Sequence, residues 1–188
     1  MLIEGNDPRT QPSFRLSNRL MRVLWQVVWC LAFRPSPRPL HRWRAFLLRC
    51  FGASIGRDVH VYPSVRIWAP WLLTCEDRVG IGDRAIIYNM GAIFIGREAV
   101  ISQGAHLCAG THDIDSPTFQ LQTGTIRIGA SAWICAEAFI GANVDIPEYC
   151  VIGARACVMK SIFEASTVWA GVPAKKIRIR KLRMQSRA

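Results

Sequence analysis

A step of six residues between aliphatic side chains is the feature that most limits how this chain can fold. It runs without interruption through residues 126–160. The aliphatic residues of this frame are Ile128, Ile134, Ile140, Ile146, Ile152 and Val158. An α-helix repeats every 3.6 residues and a strand every two, so neither produces this period. The pattern predicts a parallel β-helix of hexapeptide repeats, in which each short strand adds one aliphatic side chain to a continuous core.

The same period recurs upstream in shorter frames. These frames cover residues 55–73, 81–93 and 95–107, and we expect two-residue slips between them at 79–81 and 93–95. Mostly small residues follow each aliphatic residue one and four positions later, and a small residue, glycine above all, lets the backbone bend tightly at a corner. The sequence therefore predicts a mainly β domain over residues 53–174.

Charge is distributed unevenly along the chain. The 188 residues carry 24 Lys and Arg against 13 Asp and Glu, a net charge of +11. The excess lies in the N-terminal segment 1–52 and in the C-terminal tail 175–188, whereas the predicted β domain is slightly acidic. An acidic body without a known recognition motif argues against a nucleic-acid partner. Seven cysteines without a CxxC pair favour packing residues of a reduced, cytoplasmic protein over a disulfide framework.

The N-terminal segment has the composition of two short helices. The sequence of residues 17–33 predicts the first helix, with Ser17 or Asn18 as N-cap. Residues 34–39 contain three prolines, which end this helix. Residues 41–51 predict the second, which ends at Gly52. The first helix is too short and too charged to cross a membrane, and it lacks the pattern of a signal peptide.

Arginine and tryptophan dominate these two predicted helices. Eight arginines lie in residues 14–51, together with Trp25, Trp29 and Trp43. Trp favours the membrane interface and Arg favours anionic headgroups. One expectation is therefore that the protein makes peripheral contact with the inner, cytoplasmic face of an anionic membrane. The other expectation is that the same apolar face packs against the β-helix or a neighbouring subunit.

One long insertion interrupts the repeat, at residues 108–127. This extruded loop contains His112, Asp113 and Asp115. Loops on a rigid scaffold often carry chemistry, and a histidine beside a carboxylate is a candidate general base. The alternative is a surface histidine without a role.

Several phrases of the sequence resemble one known family. They are the repeat itself, the loop GTHDIDSPTF, the closing WAGVPAKKIR, and the phrases WRAFLLRCFGASIG, YNMGAIFIG, ISQGAHLCAGTHD and AWICAEAFIG. Over about residues 14–178 the chain resembles the hexapeptide-repeat acyltransferases, closest to the colanic-acid biosynthesis O-acetyltransferase type. The resemblance implies a left-handed β-helix and a homotrimer with the active site between subunits. It also implies acetyl-CoA as co-substrate, no required metal, and a hydroxyl acceptor on a saccharide or exopolysaccharide precursor.

The same resemblance assigns roles to individual residues. His112 matches the catalytic histidine that takes the proton of the acceptor hydroxyl during direct transfer. The residues implied on the acceptor and acyl side are Asn89, Asp113, which would orient the imidazole or touch the sugar, and Trp133 as the wall of the acyl pocket. The residues implied on the coenzyme side are Ala136 and Ala154 beside the pantetheine arm, and Lys160, Lys175 and Arg178 near the phosphates. Cys135 stands where the family usually has glycine.

Two other functions are compatible with a β-helix. A γ-class carbonic anhydrase needs three histidines that converge on a metal between subunits. His60, His106 and His112 are available, but the last two lack that family's spacing. A non-catalytic trimeric scaffold is the second alternative, and the intact histidine loop and basic tail argue against it.

Overall fold

Three parallel β-sheets form the sides of a β-helix in the computed structural model, which describes residues 10–181. Sheet 1 contains β1 (Ser54–Ile55), β4 (Leu73–Cys75), β7 (Ile93–Ile95), β12 (Ile126–Ile128) and β15 (Asp145–Ile146). Sheet 2 contains β2 (His60–Val61), β5 (Gly80–Ile81), β8 (Val100–Ile101), β13 (Trp133–Ile134), β16 (Val151–Ile152), β18 (Thr167–Ala170) and the antiparallel β19 (Lys175–Ile179). Sheet 3 contains β3 (Arg66–Ile67), β6 (Ile86–Tyr88), β9 (His106–Cys108), β14 (Phe139–Ile140) and β17 (Cys157–Val158). Each coil passes through sheets 1, 2 and 3 in that order.

The predicted aliphatic ladder forms the core. Every member of the frame from Ile128 to Val158 is at most 3 % exposed. The residues stack in register between coils, so that Ile134 lies between Ile101 and Ile152 in sheet 2. Full burial of one such side chain contributes about 1.5–3 kcal/mol, and stacking makes that burial possible for strands of two or three residues. The prediction of a mainly β, hexapeptide-repeat β-helix is confirmed.

The corners between sheets turn at a different position from the predicted one. The left-handed residue lies three positions after the ladder residue, and it is mostly not glycine; examples are Asp58, Glu98 and Tyr149. The glycine directly after the ladder residue has another role. A Cβ added to Gly129 would lie 2.4 Å from the backbone nitrogen of Glu148, so glycine is needed there because the next coil passes close by.

The predicted slip at 93–95 is confirmed, but the one at 79–81 is wrong. The extra pair of residues lies instead at 73–75, where Leu73 and Cys75 both point into the core from β4. The corner before β4 is long because a 3₁₀ turn at Pro70–Leu72 occupies it. Ile81 then follows Cys75 at the normal step of six.

Two helices precede the first coil. Helix α1 spans Leu16–Val28 and continues as a π-helical turn at Trp29–Phe33, while α2 spans His41–Cys50. The predicted N-cap is wrong, because α1 begins one residue before Ser17 and has Arg15 at its N-cap position. The Asn18 side chain instead accepts a hydrogen bond from Arg22 Nε at 3.1 Å. Gly52 follows α2 in the left-handed conformation expected after a helix end, with φ of +84°.

Both helices pack against the first coil. The indole nitrogens of Trp25 and Trp29 donate to the carbonyl oxygens of Ile67 and Val65 at 2.7 and 2.8 Å. Arg44 of α2 is fully buried, and its guanidinium donates to the Val61 carbonyl oxygen at 2.6 Å. The expectation of packing is therefore confirmed for this face, and these three side chains are not available to a membrane.

Three further findings concern the chain as a whole. No helix within residues 10–181 has both the length and the apolar character that crossing a bilayer requires. All seven cysteines lie in this range and are free thiols. The ends of the two predicted tails, residues 1–9 and 182–188, lie outside the described residues.

Candidate active site

The extruded loop is a β-hairpin on one corner of the β-helix. Strands β10 (Gly110–His112) and β11 (Leu121–Thr123) pair antiparallel, and His112 lies opposite Leu121. The hairpin connects β9 of sheet 3 to β12 of sheet 1, so it projects at the corner between these two sheets. The base of the hairpin passes Met90 so closely that a Cβ on Gly110 would lie 2.6 Å from the Met90 sulfur.

His112 is exposed at the end of β10, and its imidazole has a fixed orientation. Its Nδ1 lies 2.7 Å from the carbonyl oxygen of Phe119. A carbonyl oxygen only accepts hydrogen bonds, so Nδ1 carries the proton in the neutral imidazole. Nε2 then presents its lone pair to solvent, which is the state that a general base requires.

Asp113 does not orient this imidazole. Its carboxylate accepts a hydrogen bond from the backbone N–H of Asp115 at 3.1 Å, and its own N–H donates to the carbonyl oxygen of Gln120 at 2.9 Å. Both contacts hold the tip of the hairpin in shape. Phe119 is thus the orienting partner of His112, and contact between Asp113 and a substrate stays a prediction.

Asn89 lies one coil below the hairpin and is fully buried. Its side-chain oxygen accepts from the Ala69 N–H at 3.0 Å, and its side-chain nitrogen donates to the Ala69 carbonyl oxygen at 2.5 Å. Both ends of the amide are therefore used to join two coils. An acceptor could reach Asn89 only after these bonds broke, so this geometry gives the residue a structural role in place of the predicted acceptor contact.

Trp133 stands on the outer surface of sheet 2. It is 46 % exposed, and its indole nitrogen donates to Ser102 Oγ at 2.8 Å. Ser102 also lines a cavity of about 520 Å³ on the outer surface of sheet 2. The cavity extends over the first three coils, and Arg38, His60 and Tyr62 lie at its lower end. Trp133 therefore stands at the upper edge of a large open cavity.

The predicted pantetheine residues lie beside this surface. Ala136 and Ala154 are stacked on the corner between sheets 2 and 3, where the Arg155 N–H donates to the Ala136 carbonyl oxygen at 2.9 Å. Ala136 is half-buried and Ala154 is exposed, so neither blocks access to the corner. Cys135, in the position of the family's glycine, is also half-buried, and burial raises the pKa of its thiol. It stays protonated and acts as a compact packing residue.

The predicted phosphate-binding residues divide between two places. Lys175 and Arg178 lie on β19 at the top of sheet 2, opposite Ala170 and Val168, and both are exposed. Between them, Lys176 forms an ion pair with Glu164. Lys160 is also exposed, but it follows β17 and so lies on the corner between sheets 3 and 1, on the side of the hairpin.

One chain does not bring all these residues together. Sheet 2 and its corner with sheet 3 hold Trp133, Ala136, Ala154, Lys175 and Arg178. The hairpin with His112 projects from the corner that lies across the β-helix from sheet 2. The filled aliphatic core lies between the two, so no small molecule can touch His112 and Trp133 of the same chain at once.

Some residues near the site were not identified from the sequence. No sequence motif marks Phe119 as the partner of His112, because the contact is made by its backbone carbonyl and depends on hairpin pairing. Ser102 supports Trp133 from the coil below. His106, by contrast, was considered from the sequence as a metal ligand; on sheet 3 it lies between the rings of Tyr88 and Phe139, and burial lowers the pKa of its imidazole. Within residues 10–181 of one chain, no three His, Cys, Asp or Glu side chains come close enough to hold a metal.

Comparison with known proteins places the chain in a family. No family model matches it. A protein of Escherichia coli (strain K12), named as the colanic acid biosynthesis acetyltransferase WcaF, is 44 % identical over 167 residues, which are 89 % of this chain and 91 % of that protein.

Solved structures show the same fold at lower identity. A maltose O-acetyltransferase from Clostridium difficile 630 superposes with a TM-score of 0.81 at 20 % identity, over 89 % of this chain and 90 % of that one. The hexapeptide-repeat acetyltransferase VCA0836 of Vibrio cholerae, complexed with acetyl coenzyme A, superposes with a TM-score of 0.79 at 19 % identity, over 88 % and 90 % of the chains. With its β-helix, its histidine hairpin and 44 % identity over nearly its whole length, the chain belongs to the colanic acid biosynthesis family of hexapeptide-repeat acetyltransferases.

Proposed function

We propose that this protein is an O-acetyltransferase that moves the acetyl group of acetyl-CoA to a hydroxyl of a saccharide or exopolysaccharide precursor. The single observation that carries the proposal is the fixed imidazole of His112, whose Nδ1 is held by the Phe119 carbonyl oxygen. The names of the relatives support the substrates: one is named for colanic acid biosynthesis, one is a maltose O-acetyltransferase, and one was solved with acetyl coenzyme A.

His112 acts as general base in this proposal. Nε2 removes the proton of the acceptor hydroxyl while the hydroxyl oxygen attacks the thioester carbonyl carbon. When the carbon–sulfur bond breaks, the imidazolium returns that proton to the departing thiolate, which leaves as free CoA. The hydroxyl becomes an acetyl ester, and no covalent enzyme intermediate or metal takes part. The Phe119 carbonyl keeps the imidazole in the correct tautomer and stabilises the positive charge that forms on it.

The coenzyme would lie along sheet 2. Strands in a sheet are about 4.8 Å apart, so the four steps from β8 through β13, β16 and β18 to β19 span about 19 Å. Trp133 stands near the lower end of this line, Ala136 and Ala154 follow its corner, and Lys175 and Arg178 stand at the top. This order suits an acetyl end at Trp133 and phosphates at the basic tail. Lys160 lies off this line, so a contact with phosphate would have to come from another subunit.

A homotrimer completes this active site. Because His112 and Trp133 lie on opposite sides of one β-helix, the hairpin of one subunit must meet sheet 2 of another for both to touch one thioester. Repeating such a contact around a threefold axis closes the assembly and leaves no open surface of this kind. We place the trimer in the cytoplasm, where acetyl-CoA is available to it.

An acceptor screen tests this proposal. Purified protein would be incubated with acetyl-CoA and a series of free, nucleotide-linked and lipid-linked saccharides, with thiol release as the readout. We expect acceptor-dependent release of CoA and a product that loses its acetyl group in mild alkali, as esters do and amides do not. Acetylation only of amino sugars, with an alkali-stable product, would contradict the O-acetyl assignment. Release of CoA that never depends on a saccharide would contradict the acceptor class.

A further inference from the structure

Helix α1 has two apolar faces, and the β-helix covers only one of them. The inner face carries Trp25 and Trp29, which are 2 % and 7 % exposed. The opposite face carries the residues Leu16, Leu20, Val23, Val27 and Leu31, which are 49–75 % exposed. Their spacing of three or four residues places them in one stripe along the helix and its π-helical extension. Packing against the first coil therefore leaves a second apolar stripe uncovered in the chain.

Helix α2 widens this stripe. The indole nitrogen of Trp43 donates to the carbonyl oxygen of Ala32 at 3.0 Å, which holds α2 beside the end of the stripe. The Trp43 ring stacks on Phe46 with centroids 5.8 Å apart, and Phe46 is 52 % exposed. The stripe and Phe46 together are called the outer helical face. From Leu16 to Leu31 it is about 23 Å long at 1.5 Å per residue.

The charge around the outer helical face has one sign. Residues 14–51 contain eight arginines and no Asp or Glu. Arg44 is buried and Arg38 forms an ion pair with Asp83, so these two are occupied. Arg15, Arg19 and Arg42 are exposed and form no ion pair with any residue in the range 10–181. An apolar surface is thus bordered by cations that have no partner in the described part of the chain.

We propose that the outer helical face binds the surface of an anionic lipid membrane, with α1 lying parallel to the bilayer. Such a surface offers an apolar layer for the leucines and valines and anionic headgroups for the arginines. A second copy of this chain is the poorer partner. A symmetric contact through this face would place arginines against arginines. Contact with a neighbour's body would find six of its eleven Asp and Glu residues already engaged in ion pairs.

The structure changes which residues carry this contact. Trp25, Trp29 and Arg44 belong to the packed side and contribute nothing to lipid binding. Lipid binding instead depends on aliphatic residues of the outer helical face, on Phe46 and on three free arginines. The inference rests on exposure and charge alone and does not depend on the proposed acetyl transfer.

Vesicle flotation with the full chain tests the proposal. The probes are vesicles of pure phosphatidylcholine and vesicles that also contain phosphatidylglycerol, each at low and high salt. The test variant is Leu20→Ser/Val27→Ser/Leu31→Ser, which leaves the packed side unchanged. The control variant is Phe163→Ser, which removes an apolar side chain that is 95 % exposed but lies far along the chain from the helices. Melting temperature and sedimentation are measured for every variant.

We expect the wild type and Phe163→Ser to float with anionic vesicles at low salt, and less at high salt, because salt screens the arginines. The triple variant should bind at least about tenfold less, because the buried apolar area sets the strength of interfacial binding. Wild type that stays at the bottom with anionic vesicles overturns the proposal, and so does a triple variant that floats equally well. A triple variant that sediments as a smaller oligomer also overturns it, because the face would then be a contact between copies.

Discussion

The imidazole Nδ1 of His112 lies 2.7 Å from the carbonyl oxygen of Phe119, seven residues further along the same hairpin. Phe119 has a φ of +50°, a conformation that few residues other than glycine adopt. The left-handed backbone and the pairing of β10 with β11 together direct this carbonyl at the imidazole. The same left-handed conformation recurs at the corners of the β-helix, for example at Asp58 and Tyr149, so in this fold it marks a sharp turn of the backbone.

Phe119→Pro should displace this carbonyl, because proline fixes φ near −65°. We expect kcat to fall by about 10²-fold, the cost of moving a catalytic group by about 1 Å, with little change in acetyl-CoA affinity. Phe119→Gly is the matched control, since glycine adopts positive φ readily and keeps the carbonyl in place. Its kcat should stay close to that of the wild type. Equal losses in both variants would mean that the phenyl ring, and not the carbonyl, is what matters.

His112→Ala should keep the fold and the coenzyme affinity but lose turnover. Removal of a general base typically lowers the rate by about 10²–10⁴-fold. The measurements are kcat from thiol release and acetyl-CoA affinity from calorimetry. Ile114→Ala, in the same hairpin and 77 % exposed, controls for general disturbance of the loop. Turnover of His112→Ala within a factor of about three of the wild type would remove His112 from the mechanism.

The period of six predicts the core, because the ladder residues occupy equivalent buried positions in successive coils. The corners are less predictable. The left-handed φ falls on residues as different as Asp58, Arg84 and Tyr149, and no single residue type marks that position. The slip at 73–75 is hard to locate from the sequence because Val79, which continues the first frame, is also buried, on the small-residue ladder.

Some parts of the candidate site could be predicted from the sequence and others could not. His112 lies in a loop phrase with a family resemblance, so its identity could be read from the sequence. Its partner is a backbone carbonyl, and backbone groups leave no residue signal. Asn89 has a motif-like setting in YNMG, but the sequence does not reveal that Ala69 engages its amide. The sequence of α1 is apolar around most of the helix, so it does not show that the apolar residues form two faces, one packed and one exposed.

Gly129→Ala should destabilise the β-helix. An added Cβ would lie 2.4 Å from the Glu148 backbone nitrogen, and this backbone cannot move without shifting a whole coil. Overpacking of this kind costs about 1–3 kcal/mol in the free energy of unfolding, and sometimes more. Gly80→Ala is the control, because nothing lies within 4 Å of the position that its new methyl group would take. Urea unfolding of both variants gives the measurement, and equal stabilities would show that close coil approach does not explain Gly129.

Changing Lys175 and Arg178 to Ala should weaken recognition of coenzyme phosphate. The apparent KM for acetyl-CoA should rise about tenfold, and the KM for the acceptor should change little, because charge-assisted hydrogen bonds to phosphate would be lost. The preference for acetyl-CoA over its 3′-dephosphorylated form should shrink as well. Lys176→Ala is the control, since Lys176 is engaged by Glu164. An unchanged preference in the double variant would leave the tail without a role in coenzyme binding.

Two inactive variants should restore activity when they share a trimer. His112→Ala lacks the base, while Ala136→Glu places a carboxylate on the corner that the pantetheine arm would follow. If one site combines the hairpin of one subunit with sheet 2 of its neighbour, random mixing rebuilds about one site in four from two unaltered halves. The measurement is thiol release after the two variants are unfolded together and refolded, with mixed trimers verified by mass. Separately refolded variants, combined only afterwards, are the control and should stay inactive. Verified mixed trimers without activity would place His112 and the coenzyme surface in the same subunit, which the filled core between sheet 2 and the hairpin corner argues against.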